Sequence, residues 1–340
     1  MKLFRISLLL FCAVLLSSCI AEWGERDCQG RFILYFEYHN TGNPNPIATF
    51  NTHVHTVDVF VFNSAGDLAY YRPQIGQEGM VVTRGGTRST RPGIDLPAGG
   101  ALTPGGRYRV VVWGNADRGR QAFDQNQVNN ARVRTAPDGG TPLHYGPGTL
   151  RGSIADSFWI TIPDTVEDSD TTIVFTRAHI EIEVFVAGAS DVPRVDLDGV
   201  SDGISFNKVV SSTPIRFSTL PDEMGTGLTP SVPGRERRQA AVTSFYAPIF
   251  YANTGKTLEI RNSAGALLPN GNIRIADVIA GTTPSNINVG IPARLELENT
   301  NVPVERIQIV LEVEQDPQTG DDVVVGVWLP GWIPADVTPI

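Results

Sequence analysis

The chain is poor in cysteine and in lysine. Its 340 residues include three cysteines, Cys12, Cys19 and Cys28. We expect Cys12 to be lost with a signal peptide and Cys19 to carry a lipid, so Cys28 has no partner and no intrachain disulfide forms. Beyond the signal, Lys208 and Lys256 are the lysines of the chain, which leaves little for covalent Lys–Asn cross-links. Hydrophobic burial must therefore stabilise the folded chain.

A block of positive charge is also missing. The sequence has 27 Lys and Arg against 36 Asp and Glu, a formal charge of −9. Loss of Lys2 and Arg5 with a signal peptide lowers the basic count to 25 and the charge to −11. Because polyanions repel an acidic chain, we expect neither nucleic acid nor an anionic lipid headgroup as a partner.

The N-terminus has the pattern of a secretory signal. Lys2 and Arg5 come before an apolar run at 6–16, and two serines and then Cys19 follow it. A basic region, an apolar region and small residues at a cleavage site define such a signal. A cysteine directly after the small residues resembles the lipobox of bacterial lipoproteins, so we expect residues 1–18 to be removed and Cys19 to be lipidated. The alternatives are an ordinary signal with a chance cysteine and a membrane-spanning anchor, for which the run is too short to cross about 30 Å of hydrocarbon.

The mature chain lacks a sustained apolar stripe of helical period and is typical of an all-β protein. Glycine and proline, 34 and 24 residues, separate short runs in which apolar and polar residues alternate. Alternation with a period of two predicts antiparallel sheets with one buried face. The predicted strands are Phe32–Tyr38, Thr56–Phe62, Arg107–Trp113, Ser157–Ile162, Thr171–Val186, Leu258–Arg261, Arg294–Glu298, Arg306–Val313 and Val323–Trp328.

Length and turn signals predict two domains. The mature 322 residues suffice for about two domains at roughly 100–200 residues each, and the acidic segment Pro163–Asp170 lies near the middle. We therefore expect a signal peptide at 1–18, a lipidated tether at 19–30, and β-sandwiches at 31–165 and 166–340. That segment also fits a simple hairpin loop. Asn-Ser-Ala-Gly occurs at 63–66 and again at 262–265, which leaves internal duplication and coincidence both open.

Motifs of enzymes occur but lack their context. Gly199–Gly203 matches the G-x-S-x-G nucleophile elbow around Ser201, yet a strand-like segment follows instead of a helix, and the last histidine, His179, comes before the serine. Gly255-Lys256-Thr257 resembles the end of a phosphate loop, but Phe250 replaces its first glycine. We expect no catalytic residues and no cofactor.

Two candidate metal sites are weak. His53 and His55 would share one face of a strand, but no further ligand is near them in sequence. Asp196, Asp198 and Asp202 resemble part of a calcium loop that lacks its acidic twelfth ligand, because Asn207 occupies that position. We expect no metal site.

Several segments of the first half form a recognisable series. It consists of an acidic stretch between two cysteines, an aromatic first strand, a second strand with its hairpin, a Pro-Gly turn leading to a strand that ends in Trp-Gly-Asn, and a later loop. The segments are Cys19–Cys28, Phe32–Tyr38, Val57–Asn63 with Gly66, Leu102–Asn115 and Leu143–Gly146. In this order they resemble Bacteroidales fimbrial anchor lipoproteins of the FimB type, and beyond residue 160 the resemblance is general.

The resemblance implies two tandem transthyretin-like sandwiches tethered to the outer membrane through Cys19 and exposed at the cell surface. Members of this family anchor a fimbrial shaft and can terminate its growth, so the implied partners are the shaft subunits and the membrane. A chain that keeps its own first strand would be a fibre end, because strand addition needs an open edge. The alternative is a lipid-anchored adhesin or carbohydrate-binding protein that uses Tyr70, Tyr71 and Trp159 for stacking.

Overall fold

The fold is a set of β-sheets with one short helix. The computed structural model describes residues 30–38, 46–84, 86–97, 99–116, 121–124, 127–135, 144–146, 158–207, 213–231, 236–248, 256–275, 277, 288–290, 304–328 and 332–334. The all-β prediction is confirmed: most of the described residues are in strands. We call residues 30–177 the N-terminal half and residues 178–340 the C-terminal half.

In the N-terminal half, helix α1 spans Pro46–His53 and a 3₁₀ turn spans Gln77–Gly79. The strands are β1 (Phe32–Tyr38), β2 (Thr56–Phe62), β3 (Leu68–Gly76), β4 (Val81–Arg84), β5 (Thr87–Leu96), β6 (Arg107–Gly114), β7 (Gln121–Asp124), β8 (Arg132–Thr135), β9 (His144–Gly146), β10 (Trp159–Thr161) and β11 (Ser169–Arg177).

In the C-terminal half a 3₁₀ turn spans Pro221–Glu223. The strands are β12 (His179–Ala187), β13 (Arg194–Ser201), β14 (Gly203–Ser205), β15 (Pro214–Thr219), β16 (Gly225–Leu228), β17 (Gln239–Pro248), β18 (Thr257–Arg261), β19 (Leu267–Arg274), β20 (Asn288–Gly290), β21 (Val304–Gln315), β22 (Asp322–Trp328) and β23 (Trp332–Pro334).

The two halves repeat one pattern of strand pairing. In the first, β1 lies between β5, antiparallel, and β11, parallel, while β2 lies between β3 and β6. In the second, β12 lies between β17, antiparallel, and β21, parallel, while β13 lies between β15 and β18. The repeat supports two similar halves, although the tandem of transthyretin-like sandwiches stays a prediction.

The repeated Asn-Ser-Ala-Gly motif forms the same turn in both halves but at different places in this pattern. Gly66 and Gly265 have φ of 89° and 84°, and each donates its N–H to the carbonyl of the motif's asparagine, Asn63 or Asn262. The first turn joins β2 to β3, whereas the second joins β18 to β19. The motif therefore reflects a favourable hairpin turn and does not mark equivalent positions of a duplicated domain.

The change from one sheet to the next falls at Ala178. Strand β11 pairs with β1 and β9, and β12 pairs with β17 and β21. The prediction of one continuous strand over Thr171–Val186 is therefore wrong. The acidic segment at which we expect the domain boundary, between residues 165 and 166, leads into β11, which pairs with β1. Its Asp168 binds the guanidinium of Arg31 at 3.1 Å. The domain bounds stay a prediction.

A segment of the C-terminal half packs into the N-terminal half. We call Gly203–Phe206 the docking segment: its strand β14 extends the small sheet formed by β7 and β8. Phe206 is fully buried, and its ring lies 4.8 Å from that of Phe60 and 5.8 Å from that of Trp113, between centroids. Its N–H donates to the Ala131 carbonyl at 2.8 Å. The docking segment fixes the halves against each other.

Candidate anchoring site

The one site residue expected from the sequence, Cys19, lies outside the described residues, as does Cys28. The described residues begin at Gly30, whose N–H donates to the Thr165 carbonyl at 2.9 Å. A Cβ at this position would overlap the Glu167 carbonyl oxygen, so glycine is required here. The expected tether therefore meets the fold at a fixed point. No helix among the described residues is long and apolar enough to cross a bilayer.

Strand β1 fills a slot between two strands and is buried on both faces. It forms seven residue pairs with β11 and four with β5. On one face Leu34 and Phe36 are fully buried in an aromatic-rich core; on the other Ile33 is fully buried beside Tyr35. Burial of this kind contributes about 1.5–3 kcal/mol for each large apolar side chain. In a chain that retains β1, this slot has no room for a strand from another subunit.

Arg31 connects the beginning of β1 to three other segments. Its N–H and one guanidinium nitrogen donate to the carboxylate of Asp168, at 2.9 and 3.1 Å. Another guanidinium nitrogen donates to the Thr83 carbonyl at 2.9 Å and to the Asp95 carboxylate at 3.3 Å. The hydrogen bond to Asp168 raises the pKa of Arg31, against a smaller lowering by desolvation. The side chain thus joins β1, β4, β5 and the start of β11.

Arg91 makes a matching connection at the other end of β1. One of its guanidinium nitrogens donates to the Glu37 carboxylate at 3.0 Å and to the Thr172 hydroxyl at 2.6 Å. Its guanidinium also lies 4.3 Å from the centroid of the Tyr35 ring, in a cation–π contact. Arg91 is on β5, Glu37 on β1 and Thr172 on β11, so one side chain joins the three strands of the slot.

Outer strands of the sheets differ in how open they are to a further strand. Strand β3 is irregular, with register shifts against β2 and a positive φ of 41° at Gln74. Strand β19 is also irregular, and its Asn270 amide donates to the Val324 carbonyl at 3.2 Å. Irregular edges disfavour strand addition. By contrast, β16 pairs with β17 in continuous register and ends at Leu228, which is 51% exposed.

The C-terminal segment pairs with its own sheet. Strand β23 lies antiparallel to the beginning of β21, with Ile307 opposite Trp332 and Val304 opposite Pro334. Strand β22 pairs with a later part of the same edge, from Val310 to Gln315. Three residues of β23 thus pair with the beginning of this edge, which β22 does not reach.

The three aromatic residues expected to form a stacking surface do not form one platform. Tyr71 stacks on Phe60 at 4.5 Å between centroids and donates its hydroxyl to Asp58 at 3.0 Å. Tyr70 packs against the other core, because neighbouring residues of a strand point to opposite faces. Trp159 is 39% exposed, and the guanidinium of Arg107 lies 4.9 Å from the centroid of its ring.

Ser201 has a structural role in the turn before the docking segment. Its hydroxyl donates to the Gly203 carbonyl at 2.9 Å, and the side chain is buried. The segment after it is strand β14 rather than a helix, as expected from the sequence. Lys256, in the phosphate-loop-like sequence, is buried immediately before β18, and burial lowers its pKa from 10.5 to about 8.

The candidate metal ligands also have other contacts. His53 ends helix α1, so the expectation that it shares a strand face with His55 is wrong; its ring stacks on Tyr38 at 4.8 Å between centroids. Asp196 binds Arg194 and Arg261 at 3.0 and 3.1 Å. The part of the chain that the structure describes contains no group of three or more His, Cys, Asp or Glu residues placed to hold a metal ion.

Residues 25–337 match the family model of fimbrillin-A associated anchor proteins Mfa1 and Mfa2. A search of curated proteins finds no significant match to the chain.

Solved structures from Porphyromonas and Bacteroides have the same fold. The fimbrial anchor protein Mfa2 of Porphyromonas gingivalis is 14% identical, with a TM-score of 0.52 over 91% of this chain and 100% of that one. A candidate polysaccharide-binding protein of Bacteroides thetaiotaomicron is 12% identical, with a TM-score of 0.55 over 91% of this chain and 99% of that one. A candidate adhesin of the same species is 12% identical, with a TM-score of 0.55 over 88% and 98% of the two chains.

Proposed function

The chain belongs to the family of fimbrillin-A associated anchor proteins, and from this membership we propose that it tethers a fimbrial shaft to the outer membrane through a lipidated Cys19. Family membership implies association with fimbriae at the cell surface. The signal pattern supports lipidation, since each buried methylene of an acyl chain contributes about 0.8 kcal/mol to membrane binding. The lipid is attached by a short tether to the first strand of the fold. The role is structural rather than catalytic.

The filled slot of β1 is the observation that carries this proposal furthest. A shaft subunit must both accept a strand and offer one, so that the fibre grows. Here β1 pairs with β5 and β11 and is buried on both faces. A subunit with this slot occupied adds no neighbour there, which makes it a fibre end. We propose that incorporation of the protein limits fibre length as well as anchoring the fibre.

The contact to the shaft is proposed at the C-terminal segment, from Gly326 to Pro334. Strand β23 contributes three residue positions of pairing with β21, fewer than the seven that hold β1 to β11. Its release would expose the beginning of β21 and free an apolar segment for pairing with a shaft subunit. Truncation after Trp328 should then leave lipidated protein in the membrane and fibres detached from it.

The lipid and the anchoring are tested together in cells. Labelled fatty acid should enter the wild-type protein and the matched control Cys12→Ala, whose changed cysteine lies in the signal, but not Cys19→Ala. By electron microscopy, cells with Cys19→Ala or with the gene deleted should still form fibres, which detach more readily and are longer in the deletion. Equal labelling of Cys19→Ala would reject lipidation. Attached fibres of unchanged length in the deletion would reject anchoring.

The second candidate function is that of an adhesin or carbohydrate-binding protein, and the exposed Trp159 favours it. An exposed aromatic ring is suited to stacking on a sugar ring, although the guanidinium of Arg107 lies over one face of Trp159 and leaves only the other for it. The purified protein should then bind glycans on an array without a fimbrial partner, and Trp159→Ala should abolish the binding. Absence of glycan binding leaves the anchor function as the explanation.

A broad hydrolase screen that compares wild type with Ser201→Ala tests whether that serine is catalytic. Activity that disappears in the variant would argue against its structural role.

A further inference from the structure

We propose that the parallel pair β1–β11 bears the tension between the tether and the rest of the protein, by loading its hydrogen bonds in shear. The inference rests on the proposed function, because such tension arises when the protein holds a fimbria on a membrane. It names a mechanical role for particular strands that anchoring alone does not require.

The directions of the two strands carry the argument. The tether enters β1 at Phe32, and the chain leaves β11 at Arg177 toward the C-terminal half. The strands are parallel, in register from Phe32 opposite Ser169 to Tyr38 opposite Phe175. A pull toward the membrane and a pull toward the fibre therefore act at opposite ends of the pair. They draw the strands past each other along their axes, so the paired residues share the load and must yield together.

An antiparallel hairpin in the same half shows the contrast. Strands β2 and β3 begin and end side by side, with Thr56 opposite Gly76. A pull on those two ends would open the first pair, then the next, so that each pair bears the load alone. The difference lies in the direction of loading and not in the strength of a single hydrogen bond. The first and last strands of the N-terminal half, β1 and β11, lie side by side and parallel. A pull on their opposite ends therefore meets more resistance than a pull on the two ends of the hairpin β2–β3.

The two arginines lie where peeling would begin. Arg31 connects the loaded end of β1 to Asp168 and Asp95. Arg91 connects the other end of β1 to β5 and β11 through Glu37 and Thr172. These are partly exposed contacts, and ion pairs of this kind contribute little to equilibrium stability. Under tension they hold the strand ends in register, so that load reaches the whole ladder.

The load path continues directly into the C-terminal half. Ala178 alone separates β11 from β12, which lies between β17 and β21 in the second sheet. The docking segment adds a second connection, through pairing of β14 with β8. A pull applied beyond β12 is therefore transmitted along that strand to β11, without a flexible linker to extend first.

Single-molecule pulling on the mature chain tests the geometry. With Cys19→Ala, Cys28 becomes the single thiol of the mature chain and serves as the handle on the tether. A second handle at Val192→Cys, 45% exposed beyond β12, loads β1–β11 in shear. At Val166→Cys, 76% exposed before β11, the same pair is peeled from one end. We expect a rupture force several-fold higher in shear than in peeling; equal forces, or a lower force in shear, would overturn the proposal.

Substitution of Arg31 tests the role of its contacts at the end of β1 that the tether loads. Arg31→Gln should lower the rupture force in shear while it shifts the urea midpoint little, and Arg88→Gln, an exposed arginine on β5, should change neither. If Arg31→Gln fails to fold, Asp95→Asn removes one of the ion pairs of Arg31 and should also lower the rupture force in shear. A force unchanged by these variants overturns the role assigned to Arg31. Because pulling needs no fimbria, its outcome is independent of fibre attachment in cells, and the two proposals can fail separately.

Discussion

The two halves of the molecule share a pattern of strand pairing but not a type of core. The core beneath β1 is rich in aromatic residues, with Phe36, Phe50 and Phe175 in mutual contact at 5.3–5.7 Å between ring centroids. The main core of the C-terminal half is built mostly from valine, isoleucine and leucine, with Phe217 and Phe245 as its buried rings. The same pattern of strand pairing is thus compatible with an aromatic or an aliphatic core, because apolar patterning and total volume determine core packing more than residue identity does.

The halves also differ in what is attached to them. The N-terminal half receives the tether at Gly30 and holds its first strand with Arg31 and Arg91. The C-terminal half has no such entering tether, since β12 follows β11 after Ala178, and it contributes the docking segment instead. One half is therefore specialised for holding the chain's beginning, and the other for making contact across the molecule.

The largest effect on this comparison is expected from Phe206→Ala. The variant removes a fully buried ring of the C-terminal half from among the aromatic rings of the N-terminal half, which costs about 3–5 kcal/mol of unfolding free energy. The loss should separate the stabilities of the two halves. Hydrogen exchange followed by mass spectrometry should show faster exchange in β7 and β8, whose sheet the docking segment completes.

A matched control is Phe217→Ala, which removes a fully buried ring from the core of the C-terminal half alone. It should lower the unfolding free energy by a similar amount but increase exchange in β13 and β15, leaving β7 and β8 protected. Unchanged exchange of β7 and β8 in Phe206→Ala would show that the docking segment does not couple the halves.

Local patterns predicted some strands well but missed others, such as β5, β13 and β17, and they predicted contacts between distant segments poorly. The predicted strand Arg294–Glu298 lies outside the described residues. The bounds Phe32–Tyr38 and Thr56–Phe62 are confirmed, because alternation is a local signal. Alternation in β2 indicated one face in water, yet Phe60 and Phe62 are fully buried. Phe206, which covers them, is more than a hundred residues away in sequence.

The docking segment and the slot of β1 show the same limit. The G-x-S-x-G sequence around Ser201 indicated a turn, which is confirmed, but a turn does not reveal which strand it presents to β8. Likewise, Pro163–Asp170 had the composition of a linker, while the partner of Asp168 is Arg31, far earlier in the chain. Retention of β1 in its slot could be expected from family resemblance, whereas the contacts of Arg31 and Arg91 at its two ends depend on residues far apart in sequence.

A smaller effect is expected from Gly203→Ala, which tests the strand pairing of the docking segment. A Cβ at Gly203 would overlap the carbonyl oxygen of Val133 on β8, so the pair must separate. We expect a loss of about 1–3 kcal/mol, the range for disrupted packing by an added group, with faster exchange in β8. Gly76→Ala is the control: no atom lies within 4 Å of its added Cβ, and its φ of −70° suits alanine, so its stability should be unchanged or slightly higher. Equal stabilities of the two variants would argue against tight pairing of β14 with β8.

The two halves should also respond in opposite directions to alkaline pH. Burial lowers the pKa of Lys256, in the C-terminal half, from 10.5 to about 8. Between these values the unfolded chain binds the proton that the folded chain has released, so stability rises with pH. Burial raises the pKa of Tyr145, in the N-terminal half, above 10.0, against a smaller lowering by Arg109. Above that pH the folded chain retains a proton that the unfolded chain has lost, so stability falls.

Urea titrations across this range should separate the two contributions. The unfolding free energy of the wild type should rise from pH 8 toward pH 10 and then level off or fall. Lys256→Met should remove the rise, because methionine fills similar space without a titrating group, and Tyr145→Phe should remove the fall. A rise that persists in Lys256→Met would mean that another group titrates there, and the contrast between the halves would then lie in their packing and not in their buried charges.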